Sequence, residues 1–329
     1  MQAWTIMGHG PHDLDDVRQL EIATPTPGPG ELLIQVGAVG LNPADYKVIE
    51  NGTWNDPHVI GMDAAGIVAG LGRGVTDFTV GDRVFYHGDL RRAGSLATYT
   101  VTTSQSVAHL PANVSLDAAA ASLCGTLTAY QALHRKANLT TAQSVLIHAG
   151  GGAVGLAALQ FAHQLGLQTI TTTSARKRAL VERVGADVII DYHQTDVTQA
   201  VLDATNSRGV DVSLNTLGGE ALAADTARMA YNGQIIAIGD GMPAHFDFDT
   251  RALSLNRAGL GGVYRSADPV GIHDLAVMAT TVGEQLASGT LDPVIGATLS
   301  FNQAVIGLKH LKHDENLGKL VVHVDSSLK

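Results

Sequence analysis

Ser144-Val-Leu-Ile-His-Ala149, Gly150-Gly-Gly-Ala-Val-Gly155, Leu156 to Leu165 and Leu167-Gln-Thr-Ile-Thr-Thr-Thr173 follow one another and decide how this chain folds. The first stretch is short, apolar and β-branched, as a buried strand is. The second fits G-x-G-x-x-G. The third has the small-residue pattern of a closely packed helix, and the fourth is β-branched again. Strand, glycine turn, helix and strand in that order predict a dinucleotide-binding βαβ unit. Gly150 reads as permitting the tight turn, Gly152 as admitting a pyrophosphate, and Gly155 as letting the helix pack on the sheet. Ala153 and Val154 open the helix, where unpaired N–H groups and the positive dipole end face the phosphates. The alternative is a glycine-rich turn in some other α/β protein.

The end of the second strand predicts the choice of cofactor. An enzyme that takes NAD usually places Asp or Glu there, about 20 residues on, to hold the ribose 2′-hydroxyl. Here Thr173, Ser174 and Ala175 occupy that place, and no acid appears before Glu182. Arg176-Lys177-Arg178 opens the next helix instead. Cations at a helix N-terminus oppose the macrodipole at a cost of about 0.3–1 kcal/mol each. A docked anion reverses that cost, and the 2′-phosphate of NADP(H) is such an anion. A solvated basic face is the other reading.

The 329 residues suffice for two domains. A hydrophobic content of 45% with 16% charged residues describes a globular chain, and a net charge of −10 argues against nucleic acid as a partner. One cysteine, Cys124, excludes a disulfide framework and any Cys-rich zinc lobe, and it fits a cytoplasmic protein. Met1-Gln-Ala-Trp-Thr-Ile lacks the charged start and apolar core of a signal peptide. From Ala137 to Ala175 there is no charged residue. Three consecutive glycines, two histidines and Thr171-Thr-Thr173 interrupt that stretch. It therefore reads as the centre of a parallel sheet, not as a membrane span.

Residues 1 to about 121 have another texture, with short alternating runs between turn signals. Strands are expected over Glu31–Val36, Gly61–Val68, Gly81–Phe85 and Ser95–Val107. The order Pro27-Gly-Pro-Gly-Glu31, Gly40-Leu-Asn-Pro-Ala-Asp-Tyr-Lys47, Gly61-Met-Asp-Ala-Ala-Gly66, Val80-Gly-Asp-Arg-Val84 and Ala118 to Tyr130 is more specific. It resembles the zinc-independent quinone oxidoreductase, zeta-crystallin-like family of medium-chain dehydrogenase/reductases over nearly the full length. The resemblance implies an α/β protein with a GroES-like, mostly β catalytic domain and a Rossmann doubly wound parallel-sheet domain. The boundaries expected are 1–121 with 266–329 for the first and 122–265 for the second.

Zinc-dependent members of the superfamily carry Cys near the position of Pro43 and His in the segment Gly61-Met-Asp63. This chain has Pro43-Ala44 and Met62 there, so no metal is expected. The pairs His9/His12 and His310/His313 have metal-like spacing, but no carboxylate or Cys completes either, and they read as solvated positions. Cys124 lies in a small-residue stretch and reads as a core residue rather than a nucleophile.

Beyond Lys177 the alternation continues. Ala186–Ile190, Val210-Asp-Val-Ser-Leu-Asn215 and Gly233–Gly239 read as the third, fourth and fifth strands. Leu260-Gly-Gly-Val-Tyr264 resembles the sixth, an edge strand that pairs with its mate in a homodimer. The resemblance places Ser174, Arg176, Lys177 and Tyr192 around the adenosine 2′-phosphate. Tyr192 is alternatively a half-buried aromatic at a strand end. The family usually has Asp where Asn215 stands, which removes a charge beside the cofactor. Gly239 is expected near the nicotinamide. Thr128 either faces the cofactor or caps and packs a helix. From about residue 266 the chain returns to the catalytic domain, with a helix over Ile272–Ser288 and strands at Leu299–Phe301 and Leu320–Val324. Asn316-Leu-Gly-Lys319 resembles the closing motif, which brings Gly318 and Lys319 close to the cofactor.

These readings imply an NADPH-dependent reductase of quinones or α,β-unsaturated carbonyls, working by hydride transfer without metal. Its partners are a small-molecule quinone or enone and no nucleic acid or membrane. The candidate catalytic residues lie in Asn42-Pro-Ala-Asp-Tyr-Lys47. Asn42 orients the nicotinamide or the carbonyl. Tyr46 donates a proton or a hydrogen bond, or merely packs. Lys47 polarises the oxygen or pairs with Asp45. Two rivals stay open. One is an enoyl-thioester reductase, for which Arg91-Arg92 is the only obvious basic pair of the first domain. The other is a non-catalytic, crystallin-like NADPH-binding protein.

Overall fold

The computed structural model of the protein describes residues 1–52 and 58–328. The chain divides into two compact units, Met1–Cys124 with Gly261–Lys329, and Gly125–Leu260.

The second unit is built on a sheet of six parallel strands. Their order is Val188–Asp191, Gln168–Thr173, Ser144–Ile147, Val210–Asn215, Met229–Ala237 and Ser254–Arg257. Numbered along the chain this is 3-2-1-4-5-6, the doubly wound Rossmann order. Val145, Leu146 and Ile147 are wholly buried, as are Ile170 and Thr171 beside them. A sheet covered on both faces needs such continuous runs rather than alternation. Threonine is accepted there because its hydroxyl is satisfied: Thr171 Oγ1 donates to the Ile147 carbonyl at 2.8 Å. The helix Ala153–Gln164 packs Leu156, Leu159 and Phe161 inward.

The sixth strand differs from the sequence reading. Leu260–Tyr264 is not a strand; the chain pairs earlier, through Ser254–Arg257, and Gly262–Ser266 is a short helix. The cause is register. Ser254–Arg257 lies opposite Gln234–Ala237 and so uses the partner strand to its last residue. No hydrogen-bonding edge of that strand remains for residues 260–264.

The first unit is mostly β. Its larger sheet has the order Ile295–Ser300, Lys319–His323, Glu31–Gly40, Asp63–Leu71, Arg83–His87 and Val107–His109, and Tyr99–Thr103 pairs with Glu31–Gly40. A three-stranded sheet, Arg18–Glu21, Gln2–Ile6 and His58–Val59, stands apart from it. Ile34, Val36, Val39, Ile49, Val68, Val84 and Leu308 share one apolar core. The helix Pro43–Asn51 contributes Ile49 to that core and begins on proline, whose missing N–H costs nothing at a first helical position. No helix among the described residues is long and apolar enough to cross a membrane.

Candidate functional site

The dinucleotide end is assembled within the second unit. The chain leaves the first strand through Ala149, whose φ is +51°. The tight turn expected at Gly150 therefore takes its left-handed residue one position earlier. Gly150 is needed for another reason, because a Cβ there would lie 2.0 Å from Thr171 Oγ1 on the neighbouring strand. Gly155 packs on it in turn, since a Cβ at Gly155 would come 2.5 Å from Gly150 Cα. Gly152 is the N-cap of the helix and has only the Ala149 carbonyl nearby, 3.3 Å from a Cβ placed there. The cap supplies no side-chain acceptor and the first turn holds no acid. Ala153 and Val154 thus open a helix with no carboxylate competing for its N–H groups. The residues present fit a dinucleotide pyrophosphate.

The second and third strands run parallel with Thr173 opposite Asp191. Ser174 and Tyr192, the next residue on each, leave the sheet side by side. Ser174 caps a 3₁₀ turn, Ala175–Lys177, and the α-helix starts only at Arg178. Arg178 pairs with Glu182 at 2.8 Å, so its charge is spent. Lys177 lies against the glycine turn: a Cβ on Gly151 would be 2.6 Å from Lys177 Cβ. Arg176 is exposed on the same turn. Tyr192 is 49% exposed, with its ring centroid 4.3 Å from that of His193.

Asn215 is wholly buried and fully committed. Its Nδ2 donates to Asp225 at 2.9 Å and to the Ala221 carbonyl at 3.2 Å. Its Oδ1 accepts from the N–H groups of Leu217 and Gly218. The charge absent from position 215 is present at Asp225, which the sequence reading missed. Asp225 accepts from His148 Nε2 at 2.8 Å, Ser213 Oγ at 2.7 Å and Arg228 Nη1 at 2.9 Å. Burial pushes that carboxyl up, but His148 and the hydrogen bonds outweigh it and hold it below the usual range. Gly239 follows the fifth strand, with its N–H on the Asn215 carbonyl at 3.1 Å. Thr128 is buried in the helix Cys124–Tyr130.

In the first unit strand register gathers a second cluster. Asp63 stands opposite Gly40 on one side and His87 on the other, and Gly40 stands opposite Val321. Four adjacent strands so bring residues 40–42, 63, 87 and 319 together. Asp63 Oδ2 accepts from Asn42 Nδ2 at 2.8 Å and from the Cys124 N–H at 2.9 Å, and its Oδ1 meets His87 Nδ1 at 2.7 Å. Lys319, 4% exposed, donates to Asn42 Oδ1 and lies 3.9 Å from Asp63 Oδ2. Gly40 leaves room for that lysine, because a Cβ there would be 2.1 Å from the Ala120 carbonyl and 3.1 Å from Lys319 Cε. Both amide hydrogens of Asn42 are used, the second on the Gly40 carbonyl at 2.9 Å.

Asn42, Tyr46 and Lys47 do not converge. Asn42 caps the helix Pro43–Asn51, its N–H held by Asp45 Oδ2 at 2.7 Å. Asp45 is buried, its Oδ1 has no partner, and burial reinforced by the Asp63 charge pushes it up to about 7. Tyr46 packs against the core. Burial and then Glu50 push its hydroxyl up, while Lys312 pulls it down. Neither charged neighbour belongs to the Asn42–Asp63 cluster. Lys47 is exposed and, among the described residues, forms no ion pair with Asp45. From this helix it is Val48 that lines a cavity of about 350 Å³, together with His87, Asp89, Leu90, Arg91, Tyr264 and Arg265. Arg91 is tied to Asp89 and Arg92 to Glu31, so the basic pair is neutralised by carboxylates. Burial, then Asp63, pushes the Cys124 thiol far up, as suits an inert residue.

Residues 28–144 match the family described as alcohol dehydrogenase GroES-like domain, and residues 153–280 that described as zinc-binding dehydrogenase. The chain is 30% identical over 325 residues to the phthioceranic/hydroxyphthioceranic acid synthase of Mycobacterium tuberculosis, covering 95% of this chain. It spans only 15% of that protein's length. To the quinone oxidoreductase of Sus scrofa it is 28% identical over 313 residues, with 92% of each chain covered. A mycobacterial protein solved in complex with NADPH superposes with a TM-score of 0.83 at 26% identity, covering 98% of this chain and 100% of that one.

One of those family descriptions names zinc, and the donors of this chain do not fit it. Pro43 and Met62 offer no metal-binding nitrogen or thiolate. Among the described residues no three His, Cys, Asp or Glu side chains are grouped to hold a metal ion.

Proposed function

The chain belongs to the quinone oxidoreductase-like family of medium-chain dehydrogenase/reductases, and from that premise we propose an NADPH-dependent oxidoreductase that reduces quinones or α,β-unsaturated carbonyls without metal. The observation that carries the reading is the end of the second Rossmann strand. Thr173 and Ser174 stand where a carboxylate would hold the ribose of NAD; Arg176 and Lys177 follow Ser174, and Tyr192 follows Asp191 on the paired strand. NADPH supplies the hydride. Ala153 and Val154 hold the pyrophosphate through backbone N–H groups, with Gly150, Gly152 and Gly155 keeping side chains out of its way. Ser174, Arg176, Lys177 and Tyr192 hold the 2′-phosphate by charge and hydrogen bonds. Within the second unit, Thr128, Asn215 and Gly239 shape the remainder of the cofactor site. On the catalytic side Asn42 is held by Lys319 and Asp63 and so serves as a fixed support, while Tyr46 and Lys47 stand outside that cluster. The protein acts in the cytoplasm as a homodimer, with Ser254–Arg257 as the edge strand that a second copy covers.

The match to the acid synthase favours a second reading, an enoyl-thioester reductase on the same scaffold. One experiment separates the readings. NADPH absorbance is followed on adding 1,4-benzoquinone, 9,10-phenanthrenequinone, an alkenal or crotonyl-CoA. Oxidation with quinones or the alkenal supports the first reading, and oxidation with crotonyl-CoA alone supports the second. NADPH binding with no oxidation by any acceptor overturns both and leaves a non-catalytic binding protein.

A further inference from the structure

We propose that His87, oriented by Asp63, is the acid that delivers the proton in this reductase, an assignment that rests on the reductase reading above. Asp63 accepts from Asn42 Nδ2 and the Cys124 N–H at one oxygen, and its other oxygen faces His87 Nδ1 at 2.7 Å. A carboxylate held this way is an acceptor only, so Nδ1 carries the hydrogen and the ring's orientation is set. Among the described residues Nε2 has no protein partner, and it is not one of the fully enclosed unpartnered atoms. His87 lines the 350 Å³ cavity, and Nε2 is the polar atom it has free for an occupant. An Asp–His pair of this geometry holds one nitrogen so that the other can exchange protons with a bound molecule.

The other groups at the cavity are not suited to donate. The Tyr264 hydroxyl already donates to the His87 carbonyl, and burial pushes it up to about 12. Burial pushes the Asp89 carboxyl up, but hydrogen bonds from the Arg91 guanidinium and backbone N–H outweigh it and hold it below the usual carboxylate range. The guanidinium groups of Arg91 and Arg265 keep their protons at any ordinary pH. Val48 and Leu90 supply apolar wall. The charged and titratable groups around His87 are Asp63 from its partner strand, Lys319 and Asp45 behind Asp63, Tyr264 and Arg265 on the short helix, and Asp89 and Arg91 on the loop after the His87 strand.

For an enone the step balances as follows. A C–H bond would form at the β-carbon as the nicotinamide C4–H bond breaks, the C=C π pair would shift to join the α-carbon to the carbonyl carbon, and the C=O π pair would move to the oxygen. His87 acts as the imidazolium, with hydrogen on both nitrogens: its Nε2–H gives its proton to that oxygen, the neutral ring stays held by Asp63 through Nδ1–H, and a proton from solvent restores the cation. The substrate is reduced by two electrons and the nicotinamide is oxidised by two; a quinone takes the same hydride and proton. Asp63 is a positioning residue, since it acts through His87.

The test uses the full chain and the acceptor that wild type reduces. His87→Gln should lower kcat by about 10²–10⁴-fold, leave the Kd for NADPH within about twofold, and abolish the loss of rate toward alkaline pH that deprotonation of an acid produces. His87→Ala should regain activity with added imidazole, and diethyl pyrocarbonate labelling of His87 in wild type should be blocked by substrate. Wild-type turnover with an unchanged rate and pH profile in His87→Gln overturns the assignment alone. Absence of wild-type turnover despite NADPH binding overturns the reductase reading and the assignment with it.

Discussion

Asp45 shows how one carboxyl can serve a helix and burden a fold. Its Oδ2 caps the helix at the Asn42 N–H, while Oδ1 is buried without a donor and Asp63 is close by. Removal from water and a like charge both favour the neutral acid, which raises its pKa from 3.8 to about 7. Between those values the folded chain binds a proton that the unfolded chain does not. Stability from this group is full below about pH 4, falls as pH rises, and is gone above about pH 7. Asp45→Asn keeps an acceptor for the cap and removes the titration. Its Tm relative to wild type should be higher at pH 8 than at pH 5; an equal difference at both overturns the argument. In the second unit, Lys177→Ala would remove the proposed charge-assisted contact to the 2′-phosphate. Such contacts contribute about 1.5–3 kcal/mol, so NADPH should bind roughly 10- to 100-fold more weakly while NADH changes little. Equal losses measured by fluorescence titration refute the assignment.

At the scale of elements, the glycine turn and its helix act as one part. Gly150 admits Thr171 of the next strand, and Gly155 lets the helix settle on Gly150. Gly150→Val would drive a side chain into Thr171 Oγ1, which a Cβ alone approaches to 2.0 Å. Overpacking of this kind costs about 1–3 kcal/mol. The variant should melt lower and lose NADPH binding; full binding with an unchanged Tm overturns the close-packing role. The loop Gly88–Arg91 and the helix Gly262–Ser266 give the cavity its charge. Asp89 cancels Arg91, whereas Arg265 has no ion pair among the described residues. If the occupant is a thioester with anionic phosphates, Arg265→Ala should raise its KM several-fold and leave the KM of benzoquinone unchanged. Equal effects on both would assign Arg265 no part in substrate choice.

At the scale of the molecule, the second unit is one continuous stretch, Gly125–Leu260, with its own core of Leu146, Ile170, Val201, Val210, Leu222 and Ile235. The first unit is assembled from two separated stretches. Residues 125–260 expressed alone should therefore unfold cooperatively and bind adenosine 2′,5′-bisphosphate, because Ser174, Arg176, Lys177 and Tyr192 all lie within them. A fragment that is unfolded by circular dichroism overturns this.

The sequence by itself determined the Rossmann unit from Ser144 to Asn215 and a mostly β first part, through local chemistry: β-branched runs, glycines beside them, and short alternating runs between turns. That the first part is GroES-like came from resemblance to a family, not from any local pattern. The sixth strand was misplaced, because Leu260–Tyr264 looks locally like an edge and only register shows that its partner is already taken. Only the tertiary structure decided the Asn42–Asp63–His87–Lys319 cluster. Asp63 and His87 are 24 residues apart, and Lys319 is 277 residues from Asn42. No spacing rule links them; the ladders that set Gly40 against Asp63 and Asp63 against His87 do. In a sheet, chemistry is placed by hydrogen-bond register between distant strands, and a linear pattern does not carry that register.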